Sequence, residues 1–285
     1  MVTVRAPAKS NLTREVLARR GDGYHGIRSV MVPLALADEL TIEPSTRFSF
    51  ACDRRELDDE RNLAYAATQL LGTIPPVRLQ LRKRIPMQAG LGGGSSDAAA
   101  VLRSAMAGDF GPMHHDWLRL ARTLGSDVPF FLAGTAALVE GTGERVTPAG
   151  TIPRWHALIV KPPVAVPTAA AYAQLDSVDR PQRPRNGSAS IAALEALQRG
   201  DFWGVQSLLQ NDFHDLLVAR TPEIAKAVAA LHDAGAANAL LAGSGSCVFT
   251  LAVEQATIER LAARLDLPAN YERFVTAFAP TPQWR

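Results

Sequence analysis

Lysine is nearly missing from this chain of 285 residues: Lys9, Lys83, Lys161 and Lys226 stand against 26 arginines. The net charge of +2 leaves no surplus that would call for nucleic acid as a partner. Cysteine is as scarce. Cys52 and Cys247 lie far apart and neither sits in a Cys-x-x-Cys pair, which excludes a disulfide framework and a cysteine-held metal, and fits a reducing compartment. No run of 18 apolar residues occurs, so no membrane span is expected. The start, MVTVRAPAKSNL, lacks the charged lead and apolar core of a secretory leader. The expectation is an untargeted cytoplasmic chain with no membrane partner and no obligate protein partner.

Hydrophobic residues make up 47% and charged residues 20%, an ordinary balance for a chain that folds by itself. The length suits two lobes with a cleft between them. Strands are predicted at Val2–Ala6, Met31–Leu34, Leu40–Glu43 and Val77–Arg82. Asn62 reads as the N-cap of a helix over Leu63–Leu71, Ser95–Ala107 as a helix, and Asp116 as the cap of Trp117–Leu124. Pro129 and Gly134 break an apolar stretch, and a hairpin follows from Ala136 to Val146. Punctuation around Gly150–Arg154 suggests a boundary, giving domains of 1–150 and 151–285. Beyond it come a buried strand at Ala157–Val160, an exposed loop at Asp179–Ser190, and helices at Ile191–Gln198, Phe202–Leu209 and Pro222–Ala234. Strands at Ala239–Leu241 and Cys247–Val253, a helix at Ile258–Leu265 and a strand at Arg273–Phe278 complete an α+β lobe.

The strongest chemical signal is Pro86-Met87-Gln88-Ala89-Gly90-Leu91-Gly92-Gly93-Gly94-Ser95-Ser96, running from a strand end into a helix start. Glycines let backbone N–H groups approach phosphate oxygens, and a helix N-terminus adds free donors and a positive dipole end. Ser95 and Ser96 offer hydroxyls to a phosphate or to Mg²⁺. A flexible turn is the plain alternative, but the density of glycines before a serine pair and an alanine-rich helix favours phosphate. No Gly-Lys-Ser or Gly-Lys-Thr occurs, so this is not a Walker A loop, and no dinucleotide-binding unit surrounds it.

Three shorter clusters join it. In Gly125-Ser126-Asp127-Val128-Pro129-Phe130-Phe131, Asp127 either accepts a proton from an attacking hydroxyl or simply caps a turn; the local sequence leaves both open. In Ala6-Pro7-Ala8-Lys9-Ser10-Asn11, Lys9 could offset charge as a phosphoryl group moves, although taken alone it reads as a solvated surface lysine. Gly23-Tyr24-His25 could stack on and hydrogen-bond a base or form a structural turn, and Gly243-Ser244-Gly245-Ser246 could approach a substrate phosphate or be a tight connection. His114 and His115 read as exposed, His156, His214 and His232 as structural or surface residues, and no metal site of the protein's own is expected.

Taken in order, these clusters resemble the GHMP kinases, with the Pro-Ala-Lys start, the Pro86–Ser96 loop and the Gly243–Ser246 loop in the places of that superfamily's three motifs. The resemblance implies an N-terminal lobe like the second domain of ribosomal protein S5 and a ferredoxin-like C-terminal lobe. It implies ATP and Mg²⁺ as cofactors, small-molecule substrates, and γ-phosphoryl transfer to a hydroxyl. Asp127 would be the base and Lys9 its electrostatic partner. Residues 90–96 would wrap the ATP phosphates, and Asn62 would contact adenine. The segments around DGYH and SDVPFF are similar to a branch acting on a cytidylyl-linked alcohol. There Asn11, Tyr24, His25, Asp127, Tyr172, Gly243 and Ser244 would bind the acceptor, with cytosine between Tyr24 and Tyr172.

This sequence departs from that pattern at Ser10, where an aliphatic residue is usual, in the polar run Thr13-Arg14-Glu15, and at Ala169 and Ala173, where a proline and a lysine occur. Two other readings stay open: a GHMP kinase of the mevalonate or homoserine type, and a catalytically silent nucleotide-binding protein.

Overall fold

In the computed structural model, which describes residues 1–21, 23–110, 116–178 and 187–279, the chain opens with three antiparallel strands. These are β1 (Val2–Asn11), β2 (Thr13–Arg19) and β3 (His25–Pro44). Two short strands, Met31–Leu34 and Leu40–Glu43, are expected where a single strand of 20 residues forms. Different stretches of β3 serve different neighbours: Ile27 and Arg28 pair with β2, and Met31–Ile42 with β1. Most of β3 is buried on both faces, so the polar–apolar alternation that marks a half-exposed strand is lost.

Next come β4 (Ser49–Cys52), α1 (Leu63–Leu70), β5 (Val77–Arg82), α2 (Gly93–Met106), α3 (Trp117–Leu124), α4 (Val128–Ala133), β6 (Ala137–Gly141) and β7 (Arg145–Pro148). β5 and β6 both pair with β3, β4 runs parallel to β5, and β7 closes a hairpin with β6. The breakers at 129 and 134 turn out to be the ends of α4. Pro129 occupies its first turn, where the missing N–H costs nothing, and Gly134 caps its end at φ 70°. Helices α1 to α4 pack on one face of the sheet around Ala98, Val101, Leu102, Phe130 and Phe131.

The second half contains β8 (His156–Lys161), α5 (Thr168–Asp176), α6 (Ser188–Gln198), α7 (Phe202–Leu208), β9 (Gln210–Asn211), α8 (His214–Arg220) and α9 (Pro222–Asp233). It ends with β10 (Leu240–Leu241), β11 (Val248–Ala252), α10 (Gln255–Arg264) and β12 (Glu272–Ala277). Its own sheet has the order β10-β11-β8-β12, all antiparallel, the arrangement of a ferredoxin-like lobe. The α+β expectation holds. The halves interlock: β9 adds to β2 in parallel, and one core of Val30, Leu34, Trp155, Ile159, Phe249 and Phe278 spans both sheets. The loop expected at Asp179–Ser190 falls on residues 179–186, outside those described, and then on residues that differ from expectation. From Ser188 the chain is helical, and Ser190 is buried rather than exposed because its N–H and hydroxyl both donate to Glu15, at 2.9 and 2.6 Å. Cys52 and Cys247 are free thiols. Among the described residues no helix is long and apolar enough to cross a membrane, and His114 and His115 lie outside them.

Candidate active site

A cleft of about 1280 Å³ opens between the halves, walled by the Pro86–Ser95 loop, Lys9, Arg14, Tyr24, His25, Asn62, Lys83, Asp127, Tyr172 and Ser244. Its floor is the glycine loop. α2 begins at Gly93, two residues before the expected start, with Gly92 at φ 73° as its N-cap. Close packing explains the glycines. A Cβ on Gly92 would lie 2.9 Å from the Phe131 ring, and one on Gly90 would lie 2.0 Å from the Ala242 carbonyl oxygen. The Gly90 and Gly243 loops therefore touch backbone to backbone, and Cys247 N donates to Ala89 O at 3.2 Å. Gly90→Ala must push one backbone off another at a φ of 76°. It is expected to cost at least about 2 kcal/mol of stability and to weaken ATP binding, checked by thermal melting and calorimetry; an unchanged melting midpoint would contradict the close packing.

Lys9, read alone as a solvated lysine, is in fact 2% exposed. β1 carries it inward, and its Nζ donates to Asn11 Oδ1 at 2.7 Å and lies 3.6 Å from Asp127 Oδ2. At that separation the second contact is an ion pair rather than a hydrogen bond. Burial lowers the Lys9 pKa, Asp127 opposes that fall and Arg14 adds to it. Asn11 is fully buried, donates to Ser29 Oγ at 2.7 Å, and so fixes Lys9 from behind rather than forming part of the cleft wall. Asp127 precedes α4 without making a side-chain cap, which leaves its carboxylate free for the cleft, where it is 24% exposed.

Aromatic residues form the far end. Tyr172 sits on α5, where Ala169, Tyr172, Ala173 and Asp176 share the face turned to the cleft. Its ring stacks near-parallel to His25, with centroids 5.8 Å apart, and meets Phe213 edge-on at 4.9 Å. His25 Nδ1 contacts Leu17 O at 3.1 Å, and Nε2 lies 2.9 Å from Asp176 Oδ1 without the alignment of a hydrogen bond. Tyr24 is 69% exposed at the rim. Asn62 caps α1 as expected, accepting from Ala64 N and donating to Leu57 O, both at 2.9 Å. Ser244 borders the cleft and shares a hydrogen bond of 2.9 Å with Thr168. Gly243 lies behind it, its carbonyl held by Asn211 at 2.7 Å.

Sequence reasoning passed over Lys83. Its Nζ, buried under α2, is 2.5 Å from both Asp38 Oδ2 and Asp97 Oδ2. The rarity of lysine was the one signal that could have singled it out. Arg14, in sequence no more than part of a polar run, is buried in the cleft wall.

A glycine-rich cradle at a helix start, facing a buried lysine–aspartate pair, defines a phosphotransferase of small molecules. The model of the GHMP kinases N terminal domain matches residues 62–135, and that of the GHMP kinases C terminal matches 193–269. A 4-diphosphocytidyl-2-C-methyl-D-erythritol kinase of Deinococcus radiodurans is 39% identical over 91% of this chain and 87% of the relative. One of Symbiobacterium thermophilum is 40% identical over 90% and 93%. A crystal structure of 4-(cytidine 5'-diphospho)-2C-methyl-D-erythritol kinase superposes with a TM-score of 0.79 at 36% identity, covering 98% of this chain and all of that one. The chain belongs to the GHMP kinases, and within them to the 4-diphosphocytidyl-2-C-methyl-D-erythritol kinases; as such it is a kinase that uses ATP.

Proposed function

We propose that the cleft transfers the γ-phosphoryl group of ATP to the 2-hydroxyl of 4-diphosphocytidyl-2-C-methyl-D-erythritol, giving the 2-phosphate, a step toward isoprenoid precursors. The observation that carries this is the Lys9–Asp127 pair, 3.6 Å apart between the glycine loop and the aromatic end of the cleft. Asp127 accepts the hydroxyl proton, the hydroxyl oxygen bonds to the γ-phosphorus, and the bond from that phosphorus to the bridging oxygen breaks to leave ADP. Lys9, buried and held by Asn11, offsets the charge that develops. Residues 86–96 wrap the donor phosphates, with Asn62 at the adenine. Tyr24, His25 and Tyr172 take the cytosine, and Gly243 and Ser244 support the acceptor. The ATP-binding domain is residues 1–150, residues 151–285 form the second, and the cytoplasm supplies the ATP.

Mg²⁺ fits this site. Ser95 lines the cleft at the start of α2; Ser96 is fully buried just behind it and does not line the cleft, and its Oγ has no hydrogen-bond partner among the described residues. Both are hard oxygen donors of the kind that hold Mg²⁺ together with substrate phosphates. Among the described residues no group of three or more His, Cys, Asp or Glu forms a cage of its own. When bound, the ion would neutralise phosphate charge.

The test is ATP-dependent phosphorylation of the cytidylyl substrate, with mevalonate and homoserine in parallel. Turnover confined to the first supports the reading; turnover of either other alcohol replaces it, and ATP binding without turnover of any substrate points to a silent nucleotide binder. Tyr24→Ala is expected to raise the acceptor KM about tenfold or more with ATP affinity little changed, as loss of one stacking face on a base predicts. An unchanged KM removes Tyr24 from the pocket.

A further inference from the structure

Arg14 on β2 lies between the two ends of the acceptor half of the cleft. It is 8% exposed and lines the wall. One Nη donates to the Tyr172 hydroxyl at 3.2 Å, and the guanidinium carbon stands 5.7 Å over the Phe213 ring. Its Nε is buried with no hydrogen-bond partner among the described residues. Burial opposes the charge, but Tyr172, Asp127 and Asp212 outweigh it, so the guanidinium stays charged. A cation shielded from water, bonded to a phenol and a ring face with a donor unspent, is an expensive arrangement unless an anion arrives to use it.

The proposed acceptor supplies that anion in the right place. Its base belongs with Tyr172 and His25, its reacting hydroxyl with Asp127, and its diphosphate joins the two. Arg14 touches the first group and is within electrostatic reach of the second. Other cations of the wall are committed or remote: Lys9 to Asn11 and Asp127, Lys83 to its two carboxylates, Arg61 to Asp59, and Arg19 out in solvent. We propose that Arg14 binds the acceptor, its guanidinium taking the diphosphate that links cytidine to the alcohol; this rests on the acceptor named above.

Calorimetry with cytidine, CDP and ADP tests it on the full chain, for the wild type, Arg14→Gln and Arg14→Leu, the last an apolar side chain able to rest on Phe213. The wild type is expected to bind CDP about 10- to 100-fold more tightly than cytidine, the range for charge-assisted hydrogen bonds. Both variants should keep the cytidine and ADP affinities and lose the CDP advantage, with the acceptor KM rising by a similar factor. A CDP advantage that survives in either folded variant overturns the proposal. So does an equal loss for cytidine and CDP, which would mean that Arg14 only steadies Tyr172, or a loss confined to ADP, which would assign it to the donor. A wild type that binds neither cytidine nor CDP overturns the acceptor reading itself, and the proposal with it.

Discussion

Asp127→Asn is expected to lower turnover by about 10²- to 10⁴-fold, the usual worth of a positioned proton acceptor, while ATP affinity stays nearly unchanged. The amide keeps the shape of the side chain at the start of α4, and the glycine loop proposed to wrap the phosphates lies on another wall of the cleft. Two things are lost together: the proposed acceptor of the hydroxyl proton, and the charge that opposes the fall of the Lys9 pKa. Burial already lowers the Lys9 pKa, and the carboxylate resists that fall. Without it, burial and Arg14 act unopposed and Lys9 gives up its proton at a lower pH. The residual activity of the variant should therefore decline toward high pH earlier than that of the wild type. A pH profile of kcat with a calorimetric ATP titration checks both parts. Near-normal turnover removes Asp127 from the base role, and an unmoved alkaline limb removes the coupling to Lys9.

What the sequence discloses and what it hides follow from how local each feature is. The glycine loop is legible because its chemistry is contiguous: the glycines, the serine pair and the helix formers are neighbours in the chain. The cap at Asn62 and the β6–β7 hairpin are local in the same way. Lys9 is read as exposed because only the fold reveals that Asn11, Asp127 and Gly92 enclose it. Arg14 is opaque for a stronger reason, since Tyr172 lies 158 residues away, on a helix that was not expected. β3 is misread as two strands because its burial is imposed by four different partners rather than by its own alternation. The resemblance to a family is what proposes site residues across these distances, and it proposes no role for Arg14 or Lys83, which match no motif.

Lys83→Met carries the largest expected effect on stability. The lysine bridges Asp38 on β3 and Asp97 on α2, and all three side chains are buried. Asp38 also accepts from Arg84 N at 2.5 Å and Ile85 N at 2.8 Å, so the cluster fixes the entry to the glycine loop as well as the start of α2. Removing the cation leaves the Asp38 carboxylate without its counter-charge, with the Asp97 carboxyl beside it and both away from water, a change that costs about 3–5 kcal/mol. That is a large part of the roughly 5–15 kcal/mol that holds a domain folded. The pH dependence identifies the cause. Burial, with Asp38 adding to it and Lys83 opposing, pushes the Asp97 carboxyl up to about 8. A carboxyl raised above its ordinary 3.8 takes up a proton on folding, so its stabilising share is full at low pH and is lost as pH rises through about 8. Without Lys83 the Asp97 carboxyl rises further, and the penalty of the variant should be smallest near pH 5 and grow toward pH 9. Asp97→Asn carries no titrating group there, so its stability should vary less across that range than that of the wild type. Adding it to Lys83→Met should return stability chiefly toward pH 9, where Asp97 would otherwise be pushed to ionise beside Asp38, and little near pH 5, where that carboxyl is already neutral. Denaturant melts of the three variants between pH 5 and 9 measure this, and a penalty for Lys83→Met that is the same at every pH would mean that the lysine acts by filling space and not by holding two acids together.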